Sequence, residues 1–169
     1  YDLKDKTVGV IGTGASAIQI VPAIAPVVKQ LALFQRTPPW IMPKPDAVIS
    51  GLRKGMYNSL PFMRRFYRWR LYWFHEVAAL GFTRRPGILK LASKIATRYL
   101  NKSVSDETLR KKLTPTYTMG CKRVLLTNDY YPALQRENVT VITDHITEIN
   151  ATGIKTSDGK QHDLDAIVL

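Results

Sequence analysis

The chain has 169 residues, 45% of them hydrophobic, which is enough for one domain with a sizeable core, and a formal net charge of +12 from 25 Lys and Arg against 13 Asp and Glu. It contains no run of about 18 uncharged apolar residues, which excludes a membrane-spanning helix. The single Cys121 excludes an internal disulfide and fits a reducing, cytoplasmic setting, and the scattered His75, His145 and His162 lack metal-ligand spacing, so no metal site is expected.

The opening residues Tyr1 to Lys6 are charged and carry no initiator Met, and no signal peptide is read there. Residues 7 to 11 read as a first strand, the apolar run Thr7-Val8-Gly9-Val10-Ile11. Gly12-Thr13-Gly14-Ala15-Ser16-Ala17 follows, and a helix is expected over about 15 to 28, bent at Pro22 and closed near Pro26. Strand, glycine turn and helix N-terminus in that order form the arrangement that cradles a nucleotide pyrophosphate. Gly12 permits the turn, Gly14 leaves the backbone open to the phosphates, and Ala17 is small enough for helix to meet strand. The plain alternative is a glycine turn that binds nothing.

Leu31 to Gln35 reads as the second strand. A NAD site places Asp or Glu about 20 residues past the turn, but here Gln35-Arg36-Thr37 stands in that place. Arg36 offers a planar fork to a 2′-phosphate, which favours NADPH over NADH; the alternative is an exposed strand-end arginine. Arg36 to Pro45 is a proline-rich exit, unsuited to helix or central strand.

From about 46 to 112 the pattern becomes a helical insertion. Phe62, Phe66, Trp69, Trp73, Val77 and Leu80 recur at steps of three and four as one apolar stripe, flanked by Arg64, Arg65 and Arg68. Gly81 and Arg85-Pro86-Gly87 are expected to break it before a second helix at about 88 to 102. Ser105-Asp106-Glu107 supplies the cap and acidic first turn of a third, ended by Pro115. Residues 53 to 123 hold seventeen of the Lys and Arg and three of the acids, so this stretch carries the excess charge.

Strand character returns with Val139 to Ile142. Ile146 to Ile149, Gly153 to Thr156 and Asp163 to Leu169 then read as short antiparallel strands and a return strand, with Ser157-Asp158-Gly159 as the turn between the last two. The abrupt end at Leu169 marks the chain, on this reading, as a piece of a larger protein. The fold expected is α/β: a Rossmann-type dinucleotide-binding domain over residues 1 to 169, with the helical insertion and a small antiparallel β element.

Between insertion and final strands lies Gly120-Cys121-Lys122-Arg123, then Asp129-Tyr130-Tyr131-Pro132. Composition alone makes Lys122 and Arg123 solvated cations beside a turn. Taken with Gly12 to Gln19 and Phe34-Gln35-Arg36-Thr37-Pro38, however, their order and spacing resemble the NADPH domain of flavin-dependent Baeyer–Villiger monooxygenases. The resemblance covers essentially the whole chain. It implies that Gly12, Thr13, Gly14, Ala15 and Ser16 hold the pyrophosphate, with Gln19 just inside the helix. It implies that Arg36, Thr37 and Lys122 meet the 2′-phosphate and that Arg123 is the catalytic arginine reaching flavin and nicotinamide.

The chemistry implied is hydride transfer from NADPH to FAD, capture of O₂ as a C4a-peroxyflavin, and oxygenation of a ketone to an ester or lactone. A guanidinium beside the developing negative charge suits that step because it cannot lose its own charge. FAD would be bound mainly by an FAD domain outside this chain, since no second glycine fingerprint is present. The fragment alone is expected to be inactive. Related flavin-containing and N-hydroxylating monooxygenases, acting on S or N centres, share the two-dinucleotide plan and remain an alternative, as does a NAD(P) dehydrogenase. In another class stand a nucleic-acid module, from the interleaved Arg64-Arg65-Phe66-Tyr67-Arg68-Trp69-Arg70, and a peripheral membrane contact by the same segment. Of these, nucleic acid is not expected as a partner, because helical spacing of the aromatics favours a core or docking face.

Overall fold

β1 (Thr7–Ile11) buries Val8, Gly9 and Val10, the mark of a strand covered on both faces. In the computed structural model, which describes all residues but Arg84 and Arg85, with the side chains of Ala78, Phe82, Thr83 and Pro86 also left aside, it runs into α1 (Ala17–Ile24) and then β2 (Gln30–Phe34). After the proline-rich exit come β3 (Ile41–Met42), α2 (Gly51–Ser59), α3 (Pro61–Thr83), α4 (Pro86–Ser103) and α5 (Glu107–Leu113). The chain returns through β4 (Leu125–Leu126), α6 (Tyr130–Leu134) and β5 (Val139–Ile142), and closes with β6 (Ile146–Asn150), β7 (Gly153–Thr156), β8 (Gln161–Asp163) and β9 (Ala166–Val168).

The main sheet has the order β5-β2-β1-β9, with every pairing parallel. Strand period sorts its side chains to two faces. Val8, Val10, Leu31, Leu33 and Val141 point to a core shared with Ala17, Ile18 and Val21 of α1 and with Tyr130, Tyr131 and Leu134 of α6. Phe34 and Ile142 point the other way and meet Ile154 of the antiparallel sheet β6-β7-β8, with Leu164 and Ile167 packed against them. Helices thus cover one face and the small sheet the other, which is the α/β architecture expected.

Among the described residues, the insertion is rooted at one end only. Leu100, Val104 and Leu113 join the core, whereas α2 has no buried residue. Its entry and exit are tied into a neck: β3 and β4 pair in parallel, Leu125 N–H donates to Trp40 O (2.9 Å), and Lys44 and Asn128 exchange two hydrogen bonds. Asp106 caps α5 by accepting from Thr108 N–H at 2.9 Å, as its sequence predicted.

Three local expectations need correction. The first helix ends at Ile24 rather than near 28, because Pro26 has no N–H to continue the ladder and Val27 and Val28 turn back onto Ile24 O. Gly81 does not break α3, which continues to Thr83; a Cβ there would lie 3.1 Å from Ile88, so the glycine lets α3 approach α4 closely. The break expected at Arg85-Pro86-Gly87 does fall between α3 and α4, with Pro86 already in the first turn of α4, where a missing N–H costs nothing, and Arg85 outside the described residues. The turn at Ser157-Asp158-Gly159 joins β7 to β8, and the stretch expected as one return strand is divided. Asp165 makes the division: its N–H donates to Thr7 O (2.8 Å) while its carboxylate accepts from Thr7 N–H (2.7 Å), which hands the chain from one sheet to the other.

Candidate functional site

The carboxyl end of β1 is where the sheet turns back on itself, with β2 on one side and β9 on the other. In open parallel sheets the ligand crevice lies at that point. Gly12, at φ +104°, makes the turn there, and its N–H donates to Phe34 O at 3.0 Å. Thr13 Oγ1 donates to Thr37 O at 2.9 Å, binding the glycine turn to the end of β2.

Beyond the turn, the backbone N–H groups of Gly14, Ala15 and Ser16 make no hydrogen bond within the described residues. Ser16 stands at the N-cap of α1 without a side-chain cap, and no acid occupies the first turn. Nothing within 4 Å would meet a Cβ at Gly14. Free donors, the positive end of a helix dipole and open space together form a seat for an anion. Gln19 Nε2 donates to Ala15 O (3.0 Å), so this side chain braces the turn from behind.

Two cavities flank the turn. The larger, about 500 Å³, is walled by Gly12, Thr13, Arg36, Thr37 and Lys122, with Asp144 and His145 opposite. The smaller, about 220 Å³, is formed by Gly14, Ala15 and Ser16 together with the end of β9. Both include Ile11 and Gly12, so a long ligand could lie across the glycine turn with one end in each.

Arg36 and Lys122 are far apart in sequence and line the same cavity, Lys122 being carried there by the neck. Trp40 Nε1 donates to Tyr117 O (2.9 Å), its N–H donates to Tyr117 Oη (3.3 Å), and Lys122 Nζ sits 5.0 Å from the centre of the Tyr117 ring. That ring face attracts the ammonium and holds it over the cavity. Burial raises the Tyr117 hydroxyl above its ordinary pKa, so the ring stays neutral. Beneath Arg36, Gln35 is buried and donates through Nε2 to Lys112 O at 2.8 Å, which anchors the strand end to α5.

Of the residues expected from sequence, Gly12, Thr13, Arg36, Thr37 and Lys122 line the larger cavity, and Gly14, Ala15 and Ser16 the smaller. Arg123 lines neither: it is exposed, without a hydrogen bond or ion pair among the described residues. Asp144 and His145 were missed. The signal that could have found them is topological, because they leave the carboxyl end of β5, which pairs with β2. His145 is held by exchange with Ser157, its N–H donating to Ser157 Oγ (3.2 Å) and its carbonyl accepting from Ser157 N–H (2.8 Å).

No known protein-family profile matches the chain. Among curated proteins, it is homologous over 99% of its length to a Baeyer–Villiger monooxygenase of Pseudomonas aeruginosa (49% identity) and to one of Streptomyces coelicolor (44%). The chain spans about a third of those relatives, 32% of each. Among solved structures, an oxidised steroid monooxygenase bound to NADP superposes with a TM-score of 0.80 at 26% identity, covering 100% of this chain and 39% of that one. The OTEMO complex with FAD and NADP gives 0.75 at 27% identity, covering 99% and 38%. The fold is shared with these proteins, and the relation is of a part to a whole.

Proposed function

We propose that this chain is the NADPH-binding part of a cytoplasmic FAD-dependent monooxygenase of the Baeyer–Villiger kind, whose substrate is a ketone or similar oxidisable small molecule. One observation carries the reading: Arg36 and Lys122, brought together by the neck, face one cavity that opens beside free N–H donors at a helix N-terminus. A dinucleotide with a third phosphate on its ribose needs both features, one for the pyrophosphate and one for the 2′-phosphate. Homology to named Baeyer–Villiger monooxygenases, and likeness to structures solved with FAD and NADP, support the same assignment.

The residues present fit NADPH. The N–H groups of Gly14, Ala15 and Ser16 take the pyrophosphate, and the absence of a side chain at Gly14 lets it approach. Thr13 and Gln19 hold the turn in shape through Thr37 O and Ala15 O. Arg36 and Lys122 take the 2′-phosphate, with Thr37 at the same strand end, and no carboxylate stands in β2 to repel it. Held there, NADPH would supply a hydride, and an FAD held by the remainder of the parent protein would supply the redox chemistry that links it to oxygen. In this assignment Arg123 serves the oxygenation step by standing beside negative charge that develops there.

Arg36→Ala in the full-length parent tests the reading. A charge-assisted contact contributes about 1.5–3 kcal/mol, so calorimetric titration should show NADPH weakened about 10- to 100-fold and NADH little changed. Equal losses for the two nucleotides would overturn the 2′-phosphate assignment.

A further inference from the structure

Among the described residues, the apolar stripe of α3 has no cover. Phe62, Phe66, Trp69, Trp73, Val77 and Leu80 are between 44% and 63% exposed, and successive rings touch along the helix, Phe66 to Trp69 at 5.9 Å and Trp69 to Trp73 at 6.4 Å between centroids. At 3.6 residues per turn these six fall within an arc of about 80° and run for about 27 Å. Further exposed apolar side chains stand before α3, at Val48 and Leu52, and after it, at Leu91 and Ile95.

Charge decides what fits this surface. Arg65 borders the stripe on one side and Arg70 on the other, whereas Arg64 and Arg68, expected from sequence to flank it, lie behind. None of the four makes an ion pair among the described residues, although Arg70 rests 5.5 Å from the Tyr67 ring centre. Glu76, on the Arg65 border, is the one acid between Arg53 and Ser105. We propose that α3 is a membrane-surface helix, docking its aromatic stripe into an anionic lipid bilayer while the bordering arginines reach the headgroups. An interfacial helix of this kind combines a Trp- and Phe-rich face with flanking cations and lies in the plane of the bilayer. No helix among the described residues is long and apolar enough to cross a membrane, so the contact is peripheral.

A single nucleic-acid strand is the weaker occupant. Val77 and Leu80 on the stripe, like Leu91 and Ile95 of α4, are exposed aliphatic side chains that no base can stack on, but that hydrocarbon accepts. The rings also contact one another and leave no slots for successive bases. The inference stands apart from the nucleotide site, since none of these residues lines either cavity there.

Vesicle flotation of the full-length parent is the test, with phosphatidylcholine alone and with phosphatidylcholine mixed with phosphatidylserine. The parent should float with the phosphatidylserine vesicles, less so in high salt, and its tryptophan fluorescence should be quenched by brominated lipid. Two exposed double variants, Trp69→Ser with Trp73→Ser and Arg65→Glu with Arg70→Glu, should each cut the bound fraction about tenfold and leave NADPH affinity unchanged. Absence of flotation, as when the rest of the parent covers the stripe, overturns the proposal. So does flotation indifferent to both variants, or retention of single-stranded DNA without retention of vesicles.

Discussion

Gly12 and Gly14 stand two residues apart and are glycine for different reasons. At φ +104°, Gly12 has a backbone that L side chains avoid, so Gly12→Ala should strain the fold itself by about 1–3 kcal/mol, read as a lower urea midpoint. Gly14 has an ordinary φ and free space around it. Gly14→Ala should therefore leave stability within about 0.5 kcal/mol, yet place a methyl group where the pyrophosphate is proposed to lie and weaken NADPH by about tenfold or more. A pair of variants that separates stability from binding in this way tests the cradle directly. Tyr130 poses a different question at the same scale. Its ring is fully buried, and its hydroxyl has no hydrogen-bond partner among the described residues. Burial, with a smaller contribution from Tyr131, pushes its pKa well above the ordinary value. The unfolded chain releases this proton near pH 10 and the folded chain does not. The stabilisation is thus complete below that pH and is lost as pH rises beyond it. Tyr130→Phe removes the unpartnered hydroxyl, so it should leave stability equal or raised. Denaturation at about pH 8 and about pH 11 should also show a shallower alkaline loss; a clear destabilisation at the lower pH would mean that the hydroxyl has a partner after all.

Elements are held together here by a few polar crosslinks that pattern reading does not see. Asn138 Nδ2 donates to both Ala25 O (2.8 Å) and Val28 O (3.0 Å), pinning the end of α1 to the start of β5. Asn138→Ala leaves two carbonyls without that donor and should cost about 1–3 kcal/mol, seen as a lower melting temperature, and Asn138→Asp should cost more because a carboxylate repels the same oxygens. The strands of the main sheet were legible because burial on both faces demands a run such as Val8-Gly9-Val10, and because Val139-Thr140-Val141-Ile142 at the sheet edge alternates. The division between β8 and β9 was not, since it rests on Asp165 pairing with Thr7, 158 residues away. Nor was the role of Gly81, because a helix-breaking residue and a close-packing residue look alike until the partner helix is in place. The neck formed by β3 and β4 was also invisible: two-residue strands carry no periodicity, and their pairing is set by Trp40, Lys44 and Asn128.

At the scale of the whole molecule, the candidate site divides into a part this chain completes and a part it does not. The glycine turn and Arg36 could be read locally, since each lies where strand, turn and helix follow one another. Lys122 needed the resemblance, because only the neck, not sequence distance, carries it to Arg36. Asp144 and His145 escaped notice because nothing in their residue types distinguishes a cavity wall from a loop. Arg123 is the opposite case: it adjoins Lys122 in sequence yet is exposed and lines neither cavity. A cation left facing outward beside the candidate cavity has no chemistry to perform unless another surface meets it, and the relatives are about three times as long as this chain. In the full-length parent, Arg123→Ala should therefore leave NADPH affinity and anaerobic bleaching of the flavin by NADPH close to wild type. Product formation from ketone should fall by about 10²–10³, the loss typical when one donor to a developing negative charge is removed. Arg123→Lys should recover little, because an ammonium lacks the planar fork. If bleaching is lost together with product, Arg123 acts in nucleotide binding beside Lys122; if product formation survives, the exposed guanidinium is a surface cation and the oxygenation step is served from elsewhere.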